Sequence, residues 1–353
     1  LAQWIAQAER PLVIASAAGD ARAVAALASV AERFAIPVVA HNARVMALPT
    51  SHPMHVGFDS SALVGDADLV VTLECDVPWY PSLHEPPAPC RVAHIGEEPL
   101  YQRYPMRSFR SDLAIAAGAA EALEALDRAL DKHAGAGASR IETRRARLAE
   151  RQQARRARIA KEGETAPGRI TPQYLSRAIG EMAGPDTVIF NEYPLVAEQC
   201  PRELPGTFFA ASPAGGLGWG LGAALGAKLA APEKFIVATL GDGTYLFSNP
   251  TVCSWVGEKF GLPVLTVIFN NSRYGAVRRA TLSMFKDGAA GEDDGRFLAD
   301  LGPSPAYDEL MRAQGGFAAR VERPEDLAGA LARAKDAVVN ERRQALLNVI
   351  CPY

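Results

Sequence analysis

Short polar side chains follow two buried apolar runs of this sequence. Gly241-Asp242-Gly243 comes directly after the run 235–240, and Asn270-Asn271 comes after a second run at 264–269. Runs of this kind predict buried strands, so each polar group would lie on the turn at a strand end. A carboxylate and an amide oxygen held in this way suit a hard divalent cation such as magnesium, which usually also contacts phosphate.

A predicted helix start next to the first of these turns offers a place for the phosphate. Asn249 is a good N-cap and Pro250 a good first helical residue, and the helix would end near Phe260. Its free N–H groups and its dipole would favour a diphosphate at the strand end. An ordinary strand–turn–helix connection is the alternative, because a single Gly-Asp-Gly triplet occurs in many proteins.

A glycine-rich segment precedes the first of these strands by one helix. Residues 214–223 read Ala-Gly-Gly-Leu-Gly-Trp-Gly-Leu-Gly-Ala. Glycines near the start of a helix cost stability unless another group must approach the backbone closely. That group could be the ring of a ligand or, as the alternative, a neighbouring element of the same domain that packs tightly.

The composition indicates a globular protein of two domains and argues against several other classes. The chain has 353 residues, of which 48% are hydrophobic and 22% charged, with a net charge of −3. This charge predicts no nucleic-acid or membrane partner, and no apolar run reaches the ~18 residues of a bilayer span. The first residues lack the basic start of a secretory signal. Five scattered cysteines without C-x-x-C spacing predict a reduced, cytoplasmic protein.

The hydrophobic pattern predicts an α/β protein with two Rossmann-like, doubly wound parallel-sheet domains joined by a linker helix. Residues 1–132 alternate apolar strand runs with helical segments, and residues 168–353 do the same. Residues 133–167 form the linker, whose basic helix at 140–161 is expected to be solvated rather than bound to nucleic acid. The last helix of the first domain is predicted at 113–130.

Three segments, 212–226, 236–247 and 264–278, resemble the diphosphate-binding domain of thiamine diphosphate (ThDP) enzymes such as acetolactate synthase, benzoylformate decarboxylase and pyruvate decarboxylase. Residues 10–60 and 76–100 resemble the central domain of the same family. The resemblance covers nearly the whole chain. It implies a ThDP- and Mg²⁺-dependent decarboxylase or carboligase that acts on a 2-oxo acid, and the motifs do not distinguish these two reactions.

The resemblance also implies roles for individual residues. Asp242, the side chain of Asn271 and the backbone carbonyl of Arg273 would bind Mg²⁺. Leu217 would lie under the cofactor and enforce its bent shape, and Ala276 would face the substrate. The residues expected to contact the cofactor are Gly215, Gly216, Leu217, Gly241, Gly243, Thr244, Tyr274 and Gly275.

Histidines of the first domain have several interpretations. The resemblance implies that His84, which is close in sequence to Trp79, would reach the substrate from the central domain. A structural or surface role is the alternative. His41, His52 and His55 are near one another in sequence, yet their spacing is not a known metal-ligand pattern. We interpret these three as part of a loop that happens to carry histidines.

Members of the family normally begin with a further domain, which binds the aminopyrimidine ring and supplies a glutamate. Such a domain would precede Leu1, so we expect it to be lost, cleaved or encoded as a separate chain. The resemblance further implies a homodimer or homotetramer. Residues 287–305, rich in Gly, Asp and Pro, are expected to form either a lid over the site or a disordered loop.

Two other functions remain open. Pro194 lies where related decarboxylases use small hydroxyl residues to bind the diphosphate, and proline has no N–H to donate. The chain could therefore be a catalytically silent regulatory or scaffold subunit that retains the ThDP-binding fold. A nucleotide-dependent oxidoreductase would need G-x-G-x-x-G after the first strand, where residues 16–19 read Ser-Ala-Ala-Gly. The central domain of acetolactate synthase binds FAD. The segment 74–79 lacks the arginines that we would expect at such a site, so we expect no FAD in this protein.

Overall fold

Parallel strands form the two sheets around which this chain folds. A computed structural model describes residues 1–210, 214–292 and 299–351. Within these residues the chain divides into two units, and every strand ladder inside either unit is parallel. Helices flank both sheets. The predicted α/β class is therefore confirmed.

The first unit comprises Leu1–Lys161 and Pro201–Ala211. Its strands are β1 (Pro11–Ala15), β2 (Val38–Val39), β3 (Leu69–Leu73), β4 (Arg91–Gly96) and β5 (Leu113–Ala116), which lie in the order β2-β1-β3-β4-β5. Its helices are α1 (Ala2–Gln7), α2 (Ala21–Phe34), α3 (Ser61–Val64), α4 (Ala119–Leu130) and, except for its last residue, α5 (Ala138–Glu162). A short strand at Phe208–Ala210, β7 in chain order, forms an antiparallel bridge from Phe209 to Val45.

The inner strands of the first unit's sheet are buried on both faces. Strands β1 and β3 are buried at every residue, as expected for a parallel sheet with helices on each side. Helix α2 begins after its N-cap Asp20, whose side chain accepts a hydrogen bond from the Ala23 N–H at 2.9 Å. The helix ends at Ala35, which has a left-handed conformation with a φ of 48°. The apolar run Pro11–Ala15 and the helical periodicity of Ala21–Phe34 predict the bounds that β1 and α2 have in the structure.

Helix α5 is basic and mostly exposed, as predicted, but one face of it is buried. Arg144, Leu148 and Gln152 form this buried face. The guanidinium of Arg144 donates to the carbonyl oxygens of Ala8 at 2.8 Å and Phe34 at 2.5 Å. The expectation of a solvated linker helix is therefore wrong for this face, because α5 is a packed part of the first unit.

The second unit comprises Glu162–Cys200 and Ser212–Tyr353. Its strands are β6 (Val188–Glu192), β8 (Ile236–Gly241), β9 (Leu265–Asn270), β10 (Phe317–Val321) and β11 (Ala345–Ile350), in the order β10-β11-β9-β8-β6. Its helices are α6 (Pro172–Met182), α7 (Trp219–Ala230), α8 (Asp242–Phe247), α9 (Pro250–Lys259), α10 (Gly275–Met284), α11 (Ala289–Glu292), α12 (Tyr307–Arg312) and α13 (Pro324–Val339).

One helix prediction is wrong at its N-terminal end, and a second is confirmed. The Ala-rich stretch 113–130 is not one helix, because Leu113–Ala116 pairs with β4 as a strand before α4 begins. The helix predicted from Pro250 to about Phe260 is confirmed as α9, whereas the sequence does not predict the short helix α8, which starts at Asp242 directly after β8. Asn249 has a left-handed conformation with a φ of 51°, and its side chain makes no capping hydrogen bond.

All five cysteines lie within the described residues, where none forms a disulfide bond, and four of them are buried. Burial raises the pKa of the Cys75 thiol to about 12 and that of Cys90 to about 11, so both stay protonated at neutral pH. These thiols therefore serve as small apolar groups of the core. Among the helices of the described residues, none combines the length and the apolar composition that a bilayer span requires.

We predict that Arg144→Ala destabilises the protein by about 2–4 kcal/mol, because it leaves the carbonyl oxygens of Ala8 and Phe34 buried without their donor. The measurement is urea-induced unfolding followed by circular dichroism. Arg147→Ala is the matched control, since Arg147 is exposed on the same helix and such substitutions usually stay within about 0.5 kcal/mol. Equal unfolding midpoints for the two variants would contradict the structural role of Arg144.

Candidate functional site

A cavity of about 420 Å³ lies at the carboxyl ends of strands β8 and β9 in the second unit. These strands are neighbours, and their register pairs Gly241 with Phe269, so Asp242 and Asn271 leave the same edge of the sheet. Open α/β sheets bind their ligands at this edge. Of the residues predicted from the sequence, the cavity is lined by Gly215, Leu217, Gly241, Asp242, Gly243, Thr244, Asn271, Arg273, Tyr274, Gly275 and Ala276.

Two predicted site residues do not line this cavity. Gly216 is exposed and lies between Gly215 and Leu217, which do line it. His84 belongs to the first unit, where it is exposed and its backbone N–H donates to the Tyr80 carbonyl oxygen at 2.9 Å. The substrate role of His84 therefore stays a prediction from the resemblance.

The other histidines of the first unit have separate surroundings. His41 is buried, and this burial lowers its pKa. His52 lies 3.2 Å from the carboxylate of Glu32. Within the described residues, no group of at least three His, Cys, Asp or Glu side chains is placed to hold a metal ion. A metal site in this unit thus has no support from side chains of these types.

Asp242 is a buried carboxylate without a positively charged partner in the described chain. Only 1% of it is exposed, and its Oδ1 accepts a hydrogen bond from the Gly243 N–H at 3.0 Å. The other oxygen, Oδ2, is buried and has no hydrogen-bond partner there. Burial raises the pKa of Asp242 to about 6, although nearby backbone N–H groups oppose this shift. A bound cation would complete this arrangement.

The two asparagines after β9 have different roles. Asn271 lines the cavity, and its side-chain oxygen accepts a hydrogen bond from the Arg273 N–H at 2.9 Å. Asn270 is buried, donates from Nδ2 to Asn348 at 2.9 Å, and accepts at Oδ1 from the Ser272 N–H at 3.1 Å. Asn270 thus fixes the turn, whereas Asn271 is one of the residues that line the cavity.

A second stretch of chain holds the turn after β9. The Tyr274 N–H donates to the Ala299 carbonyl oxygen, and the Leu301 N–H donates to the Ser272 carbonyl oxygen, each at 2.8 Å. Ala299 and Leu301, in the later part of the segment 287–305, are therefore hydrogen-bonded to the turn, and a lid formed by this segment stays a prediction. Part of the predicted lid lies outside the described residues.

Helix α8, rather than the predicted helix at Pro250, brings backbone N–H groups to the cavity. Its first residues, Asp242, Gly243 and Thr244, all line the cavity. The first N–H groups of a helix have no partner within it, so they favour an anion. Gly243 also gives room to the Tyr274 ring, because a Cβ atom on Gly243 would lie 2.7 Å from Tyr274 Cδ1.

The glycine-rich segment satisfies both explanations that its sequence left open. Gly215 and Leu217 line the cavity and so offer a surface to a ligand. Gly218 has a φ of 93° and packs against α8, where a Cβ atom would lie 2.6 Å from the Phe247 carbonyl oxygen. The segment thus combines a wall of the cavity with close packing against the helix that begins at Asp242.

Sequence reasoning missed one acidic residue beside the site. Glu192 ends β6, is 1% exposed, and accepts hydrogen bonds from the N–H groups of Gly218 at 2.6 Å and Gly220 at 2.7 Å. The residues that follow, Tyr193 and Pro194, line the cavity. The sequence feature that could have identified Glu192 is its position as an acidic residue at the carboxyl end of a predicted buried strand.

Comparison with known proteins shows which family this site comes from. Residues 1–126 match the family model described as the central domain of thiamine pyrophosphate enzymes, and residues 192–349 match that of their C-terminal TPP binding domain. The chain belongs to the thiamine pyrophosphate (ThDP) enzymes. The second of these matches includes every residue that lines the cavity.

Relatives of this ThDP-family chain catalyse different reactions. A sulfoacetaldehyde acetyltransferase from Castellaniella defragrans is 25% identical over 99% of this chain and 62% of the relative. A 2-hydroxyacyl-CoA lyase from Oryza sativa subsp. japonica is 26% identical over 100% of this chain and 61% of the relative. An acetolactate synthase from Mycobacterium avium is 28% identical over 51% of this chain and 28% of the relative. The chain spans about three fifths of the first two relatives.

The fold of the ThDP enzymes is also evident among solved structures. A thiamine diphosphate-dependent 4-hydroxybenzoylformate decarboxylase from Rhodococcus jostii RHA1 is similar to this chain with a TM-score of 0.73. The alignment covers 100% of this chain and 63% of that protein at 22% identity. At this identity the likeness concerns the fold, whereas membership of the family comes from the matched domains.

We predict that Asp242→Asn stabilises the metal-free protein at pH 8 by about 1–2 kcal/mol, because it removes a buried charge that no partner balances. Thermal unfolding in EDTA measures this difference. Because the folded-state pKa is raised to about 6, the wild type loses stability as the pH rises through that value, and the difference shrinks at pH 5.

The matched control for this prediction is Asp186→Asn. Asp186 is exposed and lies 3.4 Å from Lys234, so its loss changes the unfolding free energy by no more than about 0.5 kcal/mol. A lower stability of Asp242→Asn than of the wild type at pH 8 would contradict the description of Asp242 as an unbalanced charge.

Proposed function

We propose that this chain is part of a ThDP- and Mg²⁺-dependent enzyme that acts on a 2-oxo acid as a decarboxylase or carboligase. Family membership supports ThDP. The observation that carries the Mg²⁺ proposal is the buried, unpartnered Oδ2 of Asp242 in the cavity that Asn271 also lines. Because the relatives include an acetyltransferase and a lyase, the proposal keeps both reaction types.

The proposed ligands of Mg²⁺ are the carboxylate of Asp242, the side-chain oxygen of Asn271 and the backbone carbonyl oxygen of Arg273. All three are oxygen donors, which Mg²⁺ prefers, and the ion would also contact the diphosphate. The N–H groups at the start of α8, at Gly243 and Thr244, would bind the diphosphate oxygens. When bound, ThDP supplies the carbanion chemistry that adds to a 2-oxo acid and releases CO₂.

Apolar residues of the cavity would orient the cofactor and the substrate. Leu217 and Ala276 both line the cavity. Leu217 would lie under the cofactor and hold it in a bent conformation, and Ala276 would face the substrate. The further residues proposed to contact the cofactor are Gly215, Gly216, Gly241, Tyr274 and Gly275, of which all but Gly216 line the cavity.

We also propose that a pyrimidine-binding domain completes the site and supplies a glutamate to the cofactor ring. That domain would belong either to the same protein or to a separate chain. By resemblance to the family, the complete enzyme is proposed to be a homodimer or homotetramer.

A catalytically silent regulatory or scaffold subunit is the second candidate. Pro194 lines the cavity and has no N–H to donate to a diphosphate, which favours this alternative. The two candidates differ in turnover. Decarboxylation or carboligation of any member of a panel of 2-oxo acids, measured after a pyrimidine-binding domain is supplied, would exclude the silent subunit.

We predict that Asp242→Ala and Asn271→Ala each abolish Mg²⁺-dependent ThDP binding, because each removes a proposed oxygen ligand. Isothermal titration calorimetry with ThDP, in Mg²⁺ and in EDTA, measures the effect. Asn340→Ala is the control with wild-type affinity, since Asn340 is exposed at the end of α13. Undiminished Mg²⁺-dependent ThDP binding by Asp242→Ala would contradict the proposed role of Asp242 as an Mg²⁺ ligand.

We predict that Leu217→Ala lowers kcat by about 10- to 100-fold and changes the ThDP Kd much less, because the change misplaces the bound cofactor. Steady-state kinetics with 2-oxo acids and ThDP titration, both on the protein with its pyrimidine-binding domain, provide the two values. Leu229→Ala, on an exposed leucine of α7, is the matched control. A large loss of affinity with an unchanged kcat would remove the proposed role of Leu217.

A further inference from the structure

We propose that Glu192 is a positioning residue of the cofactor site, whose buried carboxylate holds the glycine-rich turn so that Gly215 and Leu217 form a wall of the cavity. The inference rests on the proposed function, since it concerns the same ThDP site. Glu192 itself does not line the cavity. It would therefore act on the cofactor through the turn.

The start of helix α7 has no capping side chain of its own. Gly218 occupies the N-cap position, where no side chain from the turn makes a capping hydrogen bond. Glu192 supplies the acceptors from the end of β6: Oε1 accepts from the Gly218 N–H at 2.6 Å, and Oε2 accepts from the Gly220 N–H at 2.7 Å. Hydrogen bonds from helix-start N–H groups to a carboxylate are among the stronger kinds in proteins.

Both oxygens of this carboxylate are committed to the turn. Glu192 is only 1% exposed, so water does not replace these partners readily. Burial raises the pKa of Glu192, and the backbone N–H groups of Gly218, Trp219 and Gly220 oppose that shift. Because the partners of the carboxylate are all backbone groups of consecutive residues, any displacement of Glu192 moves the turn with it.

The turn is confined on its other side by α8, the helix that begins at Asp242. A Cβ atom on Gly218 would lie 2.6 Å from the Phe247 carbonyl oxygen, so the two backbones are in close contact. In the sheet, Glu192 pairs with Leu240, immediately before the Gly-Asp-Gly turn. Glu192 thus links β6, α7 and α8 at the edge where the cavity lies. Without its carboxylate, Leu217 would no longer be held in its position in the cavity wall.

The first test is Glu192→Gln, which keeps the shape of the side chain but turns an NH₂ group toward a backbone N–H. We expect the ThDP Kd in Mg²⁺ to rise about 10- to 100-fold, as when an outer partner of a binding group is lost. The whole wall that includes Gly215 and Leu217 would move in this variant, whereas Leu217→Ala removes one side chain from a wall that stays in place. Hydrogen exchange of a peptide covering 217–222 should accelerate, while exchange in the strands stays as in the wild type. Glu181→Gln, on an exposed glutamate of α6, is the matched control and changes neither value.

A second pair of variants tests the same contact without altering the carboxylate, and keeps the proposal testable if Glu192→Gln does not fold. A Cβ atom on Gly220 would lie 2.9 Å from Glu192 Oε2 and from Leu240 Cδ2. A Cβ atom on Gly222, in the same helix, would have no heavy atom within 4 Å. We expect Gly220→Ala to weaken ThDP binding about tenfold, and Gly222→Ala to bind ThDP like the wild type.

The outcomes separate this inference from the proposed function. Weaker ThDP binding and faster exchange in Glu192→Gln and Gly220→Ala, but not in their controls, support the positioning role. If Asp242→Ala abolishes Mg²⁺-dependent binding while Glu192→Gln binds like the wild type, only the positioning role is overturned. An equal loss of ThDP affinity in the control variants Glu181→Gln or Gly222→Ala overturns the positioning role as well. If the wild type, supplied with a pyrimidine-binding domain, shows no Mg²⁺-dependent ThDP binding, the proposed function and the positioning role both fail.

Discussion

The pairing of β8 with β9 is the constraint on which the candidate site depends. Its register sets Gly241 opposite Phe269, and β11 pairs with β9 on the other side. A shift of one residue would turn every side chain of the strand to the opposite face. Such a shift would separate the carboxylate of Asp242 from the oxygen of Asn271. Because β8 and β9 are almost completely buried, their apolar side chains fix the register and thereby the geometry of the proposed metal site.

The site contains features that work against stability. Asp242 is buried without a partner for Oδ2, and Ser272 has a left-handed conformation with a φ of 54°. Such features persist where the surroundings determine them strongly. Here the surroundings are the buried amide of Asn270 and the two backbone hydrogen bonds that join Tyr274 to Ala299 and Leu301 to Ser272. A protein that only had to fold would gain by replacing Asp242, which supports the proposal that this carboxylate binds a cation.

The sequence predicts the strands well because a strand of a parallel sheet is buried on both faces and reads as a continuous apolar run. It predicts 113–130 poorly, because alanine favours helix while Leu113–Ala116 is drawn into the sheet by pairing with β4. Asn270 and Asn271 are identical in type, so only the turn geometry reveals that one is structural and the other lines the cavity. Glu192 escapes detection for a related reason: its partners lie far along the chain, at Gly218 and Gly220.

The hydrogen bond between Tyr274 and Ala299 brings together the two ends of a long excursion of the chain. Helix α10 leaves from Gly275, beside the residue that we propose to face the substrate, and the chain returns at Ala299. Since the ends are fixed to each other, insertions or deletions between them cost little closure entropy and need not disturb the turn at 270–274. Because Gly275 and Ala276 at the start of α10 line the cavity, a change in this segment would alter the side chains that a substrate meets. The turn at 270–274, which carries the proposed Mg²⁺ ligands Asn271 and Arg273, would keep its geometry.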